Sequence, residues 1–241
     1  MSVKEKNEGL TWPPLLRGAL IERYKRFLAD VKLDSGETVT AHCPNSGSMK
    51  ACSEPGRPVY ISRAESPKRK LKYTWEIINM GRSLVGVNTI VPNRLVAHGI
   101  LNGRIPELDG YADLKREVTV SPGSRLDMAL YRQRDETVCY IEVKNCTLVE
   151  KGVAMFPDAV TTRGQKHLKE LIRLKSEGHR AVIFYLIQRS DAKRFEPAVQ
   201  IDPDYAKGLK TAIAAGVEML AYDVVIDMEQ IRINRRLPVK I

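Results

Sequence analysis

Apolar and polar positions alternate in two neighbouring runs. Leu126, Met128 and Leu130 are spaced by two, and so are Cys139, Ile141 and Val143; the polar stretch Gln133–Glu136 separates them. A period of two marks a half-buried strand, and two such runs around a short polar turn predict an antiparallel hairpin. A four-residue loop places Arg132 opposite Thr137. In that register Leu126 meets Val143, Met128 meets Ile141 and Leu130 meets Cys139, so one face is wholly apolar. The opposite face carries Arg125, Asp127, Glu142 and Lys144, with Asp127 directly across from Glu142.

Around the hairpin the pattern predicts an α/β domain over residues 85–241. A helix is expected from Pro92 to Leu101, strands at Lys115–Val120, Arg125–Tyr131 and Thr137–Lys144, and a helix from Thr162 to Glu177 that stops at Gly178. The unbroken apolar run Ala181–Ile187 reads as a strand buried on both faces. A helix Pro203–Ala215 and a strand Glu218–Ile226 complete an αβββαβ order followed by αβ. Residues 1–84 read differently. Short extended stretches at Arg26–Leu33, Glu37–Cys43, Arg57–Arg63, Lys70–Asn79 and Leu84–Val87 are punctuated by Asp34-Ser35-Gly36, Pro44-Asn45-Ser46-Gly47, Pro55-Gly56 and Met80-Gly81. Five short strands with such turns predict a small barrel. The expected division is therefore 1–84 and 85–241.

Charge adds a partner class. The 241 residues carry 39 Lys plus Arg against 29 Asp plus Glu, a net +10 that favours a polyanion, nucleic acid before anionic membrane. The run Lys68-Arg69-Lys70-Leu71-Lys72-Tyr73-Thr74-Trp75 interleaves cations with aromatics. It reads either as a strand-tracking surface with stacking platforms or as a basic loop leading into a core Trp. The longest apolar run is far short of the roughly 20 residues that cross a bilayer. The opening MSVKEKNEGL has no apolar segment after its lysines, so a cytoplasmic protein is expected. Cys43, Cys52, Cys139 and Cys146 show no C-x-x-C spacing, which disfavours zinc and predicts reduced thiols, Cys139 in the core.

Chemistry concentrates on the hairpin. Directly opposed strand residues have Cβ atoms about 4.5–5.5 Å apart. Two carboxylates that close repel one another unless a dication joins them, and oxygen ligands suit Mg²⁺ or Mn²⁺. Lys144 projects from the same face, so Asp127, Glu142 and Lys144 read as a phosphodiester-cleaving set with Asp127 and Glu142 as metal ligands; the plain alternative is a set of surface ion pairs. Glu117 and Asp158 are further acids that would reach the site or serve locally. At the start of the second helix, Arg163, Gln165 and Lys166 would meet a phosphate at a helix N-terminus. His167 reads as a packing or hydrogen-bonding histidine. Expected nucleic-acid contacts are Lys68, Arg69, Lys70, Lys72, Arg125, Arg163 and Lys166.

Four stretches carry a resemblance: RYKRFLADV around Tyr24, HCPNSGSM at His42–Met49, YIEVKNCTL at Tyr140–Leu148 and FPDAVTTRGQKHLKEL at Phe156–Leu171. Through them the whole chain resembles the sugar fermentation stimulation protein A family of bacteria and archaea. The resemblance implies an N-terminal OB-like barrel and a C-terminal PD-(D/E)XK nuclease-like domain. It also implies non-specific DNA binding and a regulatory role in maltose utilisation. The nuclease pattern falls on Asp127 as first acid, on Glu142 and Lys144 as acid-x-Lys, and on Gln165 as a helix glutamine. Leu126 stands where a Pro is usual. The first helix offers Asn93 and His98 but no carboxylate, which removes one metal-ligand position. The function expected is a DNA-binding, or RNA-binding, Mg²⁺-dependent nuclease. The alternative is a non-catalytic DNA-binding regulator using the Pro203–Ala215 helix and a basic tail, Arg232–Arg236. A homodimer is left open. The small polar loop Asn45–Met49 reads as a phosphate approach or as a tight connection inside the barrel.

Overall fold

A computed structural model describes residues 9–66, 68–133 and 136–241. Six strands form the first sheet: β2 (Leu15–Tyr24), β3 (Leu28–Leu33), β4 (Thr38–His42), β5 (Pro58–Arg63), β6 (Tyr73–Asn79) and β7 (Leu84–Gly86), in the order β4-β3-β2-β5-β6-β7. A parallel pairing of Ala41 with Tyr73 and His42 with Thr74 joins β4 to β6 and closes five of them into a barrel. Closure removes the free edges that an open sheet would leave. Its interior is filled by Leu20, Val31, Ala41, Ile61, Trp75 and Ile78.

Trp75 is fully buried, so it is a core residue and offers no stacking face. Lys68, Lys70 and Lys72 are exposed, while Arg69 bonds Thr74 Oγ1 and His42. β2, with ten residues the longest strand of the barrel, is absent from the elements read from the sequence. Its segment LLRGALIERY is rich in helix formers and lacks a clean alternation; barrel packing overrides that preference.

The second sheet has seven strands, β1 (Leu10–Thr11), β8 (Asp113–Ser121), β9 (Ser124–Tyr131), β10 (Val138–Cys146), β13 (Arg180–Ile187), β15 (Glu218–Ile226) and β16 (Gln230–Arg236), ordered β1-β16-β15-β13-β10-β9-β8. Helix α1 (Val91–Leu101) lies on one face; α2 (Thr162–Ser176) and α3 (Pro203–Ala214) lie on the other. β13 shows why its sequence is continuously apolar. Val182, Phe184 and Leu186 face α1, while Ala181, Ile183, Tyr185 and Ile187 face α2 and α3. A small sheet of β11 (Leu148–Glu150), β12 (Val153–Phe156) and β14 (Arg194–Pro197) flanks the lobe.

The hairpin has the expected register, with Tyr131 opposite Val138 and Met128 opposite Ile141. Residues 134 and 135 of its turn lie outside the described residues. Leu126 departs from expectation. It joins the core beneath α2, whereas Met128, Leu130 and Val143 join the core beneath α1. The segment Arg232–Arg236 is likewise no free tail, because it is part of β16. Arg232, Arg235 and Arg236 pair with Asp227, Asp223 and Glu107.

The chain passes between the lobes twice. β1 belongs to the second sheet, Leu10 pairing with Ile231, and the Trp12 N–H donates to Glu229 O. After β7 the Gly86 N–H donates to Gln188 O, just past β13. Buried Glu76 of the barrel accepts from Ser62 Oγ and from Asn88 Nδ2 in the connection to α1.

Candidate active site

β9 and β10 carry the acids, and α1 and α2 close over them from opposite faces. Asp127 is partly buried. Its Oδ1 accepts from Asn93 Nδ2 of α1 at 2.6 Å and its Oδ2 from the Val143 main-chain N–H at 2.7 Å. Regular pairing of β9 with β10 stops at Met128 and Ile141, one residue before the acids, so the Asp127 carboxylate takes up the Val143 N–H. Burial pushes the Asp127 carboxyl up to about 6, the neighbouring Glu142 charge adds to it, and the Val143, Lys144 and Asn93 contacts hold it down in part.

Glu142 is almost wholly buried. Burial raises its carboxyl, but the Lys144 charge and the His167 hydrogen bond outweigh that and keep it below the usual carboxylate range. Lys144 Nζ donates to Glu142 Oε1 at 2.6 Å, and His167 Nδ1 bonds the same oxygen. Glu142 Oε2 has no partner among the described residues although it is buried. An unsatisfied carboxylate oxygen in such a place is costly unless a ligand takes it up.

Asn93, Asp127, Glu142, Lys144, Arg163 and His167 line one cavity of about 250 Å³. The donor set fits a hard dication: two carboxylates with lone pairs to spare, one wholly unpartnered oxygen, and space for water. Among the described residues no three His, Cys, Asp or Glu are arranged to hold one ion together, His167 being engaged with Glu142 Oε1, so the remaining ligands would be main-chain carbonyl and water.

Other expected site residues are distributed around this cavity. Gln165 turns away. Its amide bonds Asp202, the residue that caps α3. His167, two positions later on α2 and so about 200° further round the helix, is the residue that reaches the acids. Glu117, within β8, has φ +57° and pairs with Arg125. Asp158 accepts from Ser48 Oγ and the Met49 N–H, tying the Asn45–Met49 loop to the second lobe. That loop is a tight connection whose carbonyls at Asn45, Gly47 and Ser48 are gathered by the Arg23 guanidinium. Arg125, Arg163 and Lys166 line an adjoining hollow of about 590 Å³. Sequence reasoning gave no role to Asn145 or Gln188, and Asn93 was noted only as lacking a carboxylate. The four cysteines are buried and free. No helix is long and apolar enough to cross a membrane.

A closed five-stranded barrel followed by an α/β domain with a buried Asp, Glu and Lys set defines an OB-domain protein with a second, α/β lobe. Residues 21–87 match the SfsA N-terminal OB domain, and residues 90–230 match the sugar fermentation stimulation protein RE domain. The chain belongs to the sugar fermentation stimulation protein family. A sugar fermentation stimulation protein homolog of Geotalea uraniireducens is 52% identical over 227 residues, covering 94% of this chain and 97% of the relative. That of Rhodospirillum rubrum is 51% identical over 239 residues, covering 93% and 96%. The structure of Pyrococcus furiosus SfsA in complex with Ca²⁺ superposes with a TM-score of 0.88 at 28% identity, over 97% of this chain and 99% of the other.

Proposed function

We propose that the protein is a divalent-metal-dependent phosphodiesterase acting on nucleic acid. The observation that carries this reading is the unpartnered, buried Glu142 Oε2 in the same cavity as Asp127. Asp127 and Glu142 would hold Mg²⁺ or Mn²⁺, and the relative described with Ca²⁺ supports a divalent cation in this family. A dication there would supply Lewis-acid stabilisation of charge on a phosphoryl oxygen. Lys144 keeps Glu142 ionised and adds a fixed positive charge beside the reacting phosphate. Val143 N–H and Asn93 hold the Asp127 carboxylate in place. Arg163 and Lys166, in the first two turns of α2, whose first turn carries no acid, would hold flanking phosphates.

The OB barrel and the basic balance point to DNA or RNA as the substrate. The decisive measurement is cleavage of varied DNA and RNA with Mg²⁺, comparing parent and Asp127→Asn. Loss of cleavage in the variant supports the proposal; equal cleavage, or none by the parent on any substrate, ends it. The rival reading is a non-catalytic DNA-binding regulator of sugar utilisation. It draws on Lys144 and His167, which already compensate one oxygen of Glu142 without a metal. It predicts binding that survives both EDTA and Asp127→Asn.

A further inference from the structure

Three hollows share walls and form one groove. Thr89, Asn145 and Thr161 line both the acid cavity and a cleft of about 340 Å³ between the lobes. Arg163 and His167 line both the acid cavity and the basic hollow beyond it. Chemistry changes along this path. The far hollow holds Arg125, Arg163 and Lys166, which suits phosphates. The cleft has Arg26 as its one cation among the described lining residues. The rest of its lining is mostly uncharged, with Asn145 and the exposed Ser46 beside apolar Met155 and Val160, and the one acid among the described lining residues, Asp158, is held by Ser48 Oγ and the Met49 N–H.

Asn145 is the telling residue. Gln188, fully buried, donates from Nε2 both to Asn88 O at 3.2 Å and to Asn145 Oδ1 at 2.9 Å. A main-chain carbonyl only accepts, so Asn88 O fixes which end of the Gln188 amide is NH₂. That in turn fixes Asn145, which gives its oxygen to Gln188. No described group accepts from Asn145 Nδ2, and this NH₂ is left for the groove where cleft and acid cavity meet. Holding Gln188 so close requires a residue without Cβ at Gly86, since a Cβ there would lie 2.5 Å from Gln188 Oε1. Gln188 is thus a positioning residue for Asn145.

We propose that this cleft is a nucleoside subsite that takes one unpaired nucleotide beside the scissile phosphate, so that the substrate is a single-stranded segment. The inference rests on the phosphodiesterase reading and adds the substrate class to it. A donor with fixed polarity, the exposed Ser46 hydroxyl and an apolar wall are what a splayed-out base needs, since it is read by edge hydrogen bonds and apolar contact with its flat face. The volume is at the small end of ligand pockets, which run from about 300 to 1,000 Å³. It suits one nucleoside and excludes a duplex, whose bases keep their pairing edges occupied.

The test is fluorescence anisotropy with an end-labelled 12-mer single strand and the blunt duplex of the same sequence, with Ca²⁺ in place of Mg²⁺. Three proteins are compared: the parent, Asn145→Ala and Ser46→Trp. Ser46 is exposed, so the indole blocks the cleft without entering the core. The expected result is single-strand binding about tenfold tighter than duplex binding, the size of one base contact, and loss of that preference in both variants. The salt dependence should be unchanged, because no phosphate contact is touched. Duplex bound as tightly as single strand, or a preference that survives both substitutions, overturns the subsite. If the parent cleaves nucleic acid without that preference, only the subsite falls. If it neither binds nor cleaves any nucleic acid, the phosphodiesterase reading falls with it.

Discussion

The main-chain N–H of Val143 donates to Asp127 Oδ2 at 2.7 Å, so the residue after Glu142 holds the other acid of the pair. The backbone of β10 thereby sets the spacing of both carboxylates. This arrangement leaves the Asp127 carboxyl at about 6 against an ordinary value of 3.8. Between those values the folded chain keeps a proton that the unfolded chain has released. The group's contribution to stability is therefore full below pH 3.8, falls as pH rises to about 6, and is constant above. Asp127→Asn removes that loss. An Asn offers one acceptor to the two donors Asn93 Nδ2 and Val143 N–H, a loss common to both pH values, so the expected effect is differential. Relative to the parent and without metal, the variant should gain about 2–6 °C between pH 4 and pH 8, equivalent to about 1–2 kcal/mol. Scanning calorimetry at pH 8 and pH 4 checks this; equal shifts at both values contradict it.

Metal binding should carry the same proton. Only the ionised Asp127 binds a dication, so affinity for Mn²⁺ should rise up to about tenfold per pH unit below 6 and flatten above it. Isothermal titration from pH 5 to 8 would show the bend. A straight rise through pH 8 would place the titrating group elsewhere.

Asn93→Ala removes the 2.6 Å bond to Asp127 Oδ1 while leaving both acids in place. Loss of a partner that orients a metal ligand costs about 10–100-fold in affinity. Mn²⁺ affinity should fall by that amount, and because this bond favours the ionised carboxylate, the melting temperature without metal should fall more at pH 8 than at pH 4. A variant with parental affinity would show that Val143 N–H alone orients the carboxylate.

Two glycines should respond in opposite directions to alanine. Gly86→Ala drives a methyl into Gln188, and overpacking of this kind costs about 1–3 kcal/mol. Gly208→Ala, inside α3, meets only Leu168 Cδ1 at 3.4 Å and should gain up to about 1 kcal/mol of helix propensity. Urea unfolding of the two variants reads both signs.

The basic hollow makes an electrostatic prediction. Replacing Arg163 and Lys166 together by Ala should lower the slope of log affinity against log salt by about 1.4 for a single strand, at roughly 0.7 per phosphate contact, whereas Arg125 is held by Glu117 and adds nothing. Replacing Arg232, Arg235 and Arg236 should leave the slope unchanged, because each is already paired within the chain.

These contrasts show what local pattern conveys. The hairpin register was legible because a one-residue slip would turn Met128 and Ile141 out of the core. The helices and main strands around it were legible from their apolar periodicity, whereas the short strands β11, β12 and β14 were not. β2 was not, since Leu15–Tyr24 has the residues of a helix and becomes a strand only by pairing with β3 and β5. In β16, Ile231 and Ile233 alternate inward beneath arginines that resemble a tail when read as charge alone. Asp127, Glu142 and Lys144 were legible through that register, whereas the choice between Gln165 and His167 depended on the rotation of α2. Asn93 and Gln188 act through contacts between elements distant in sequence, 34 and 43 residues from their partners Asp127 and Asn145, and no local spacing announces them.

The pairing of β1 with β16 has a mechanical consequence. The chain leaves the large sheet at Trp12, circuits the barrel, and re-enters beside Gln188, so the two lobes are sewn together by separate stitches. A twist about either stitch alone strains the other, so the one rotation the two crossings leave free is a hinge about the line that joins them.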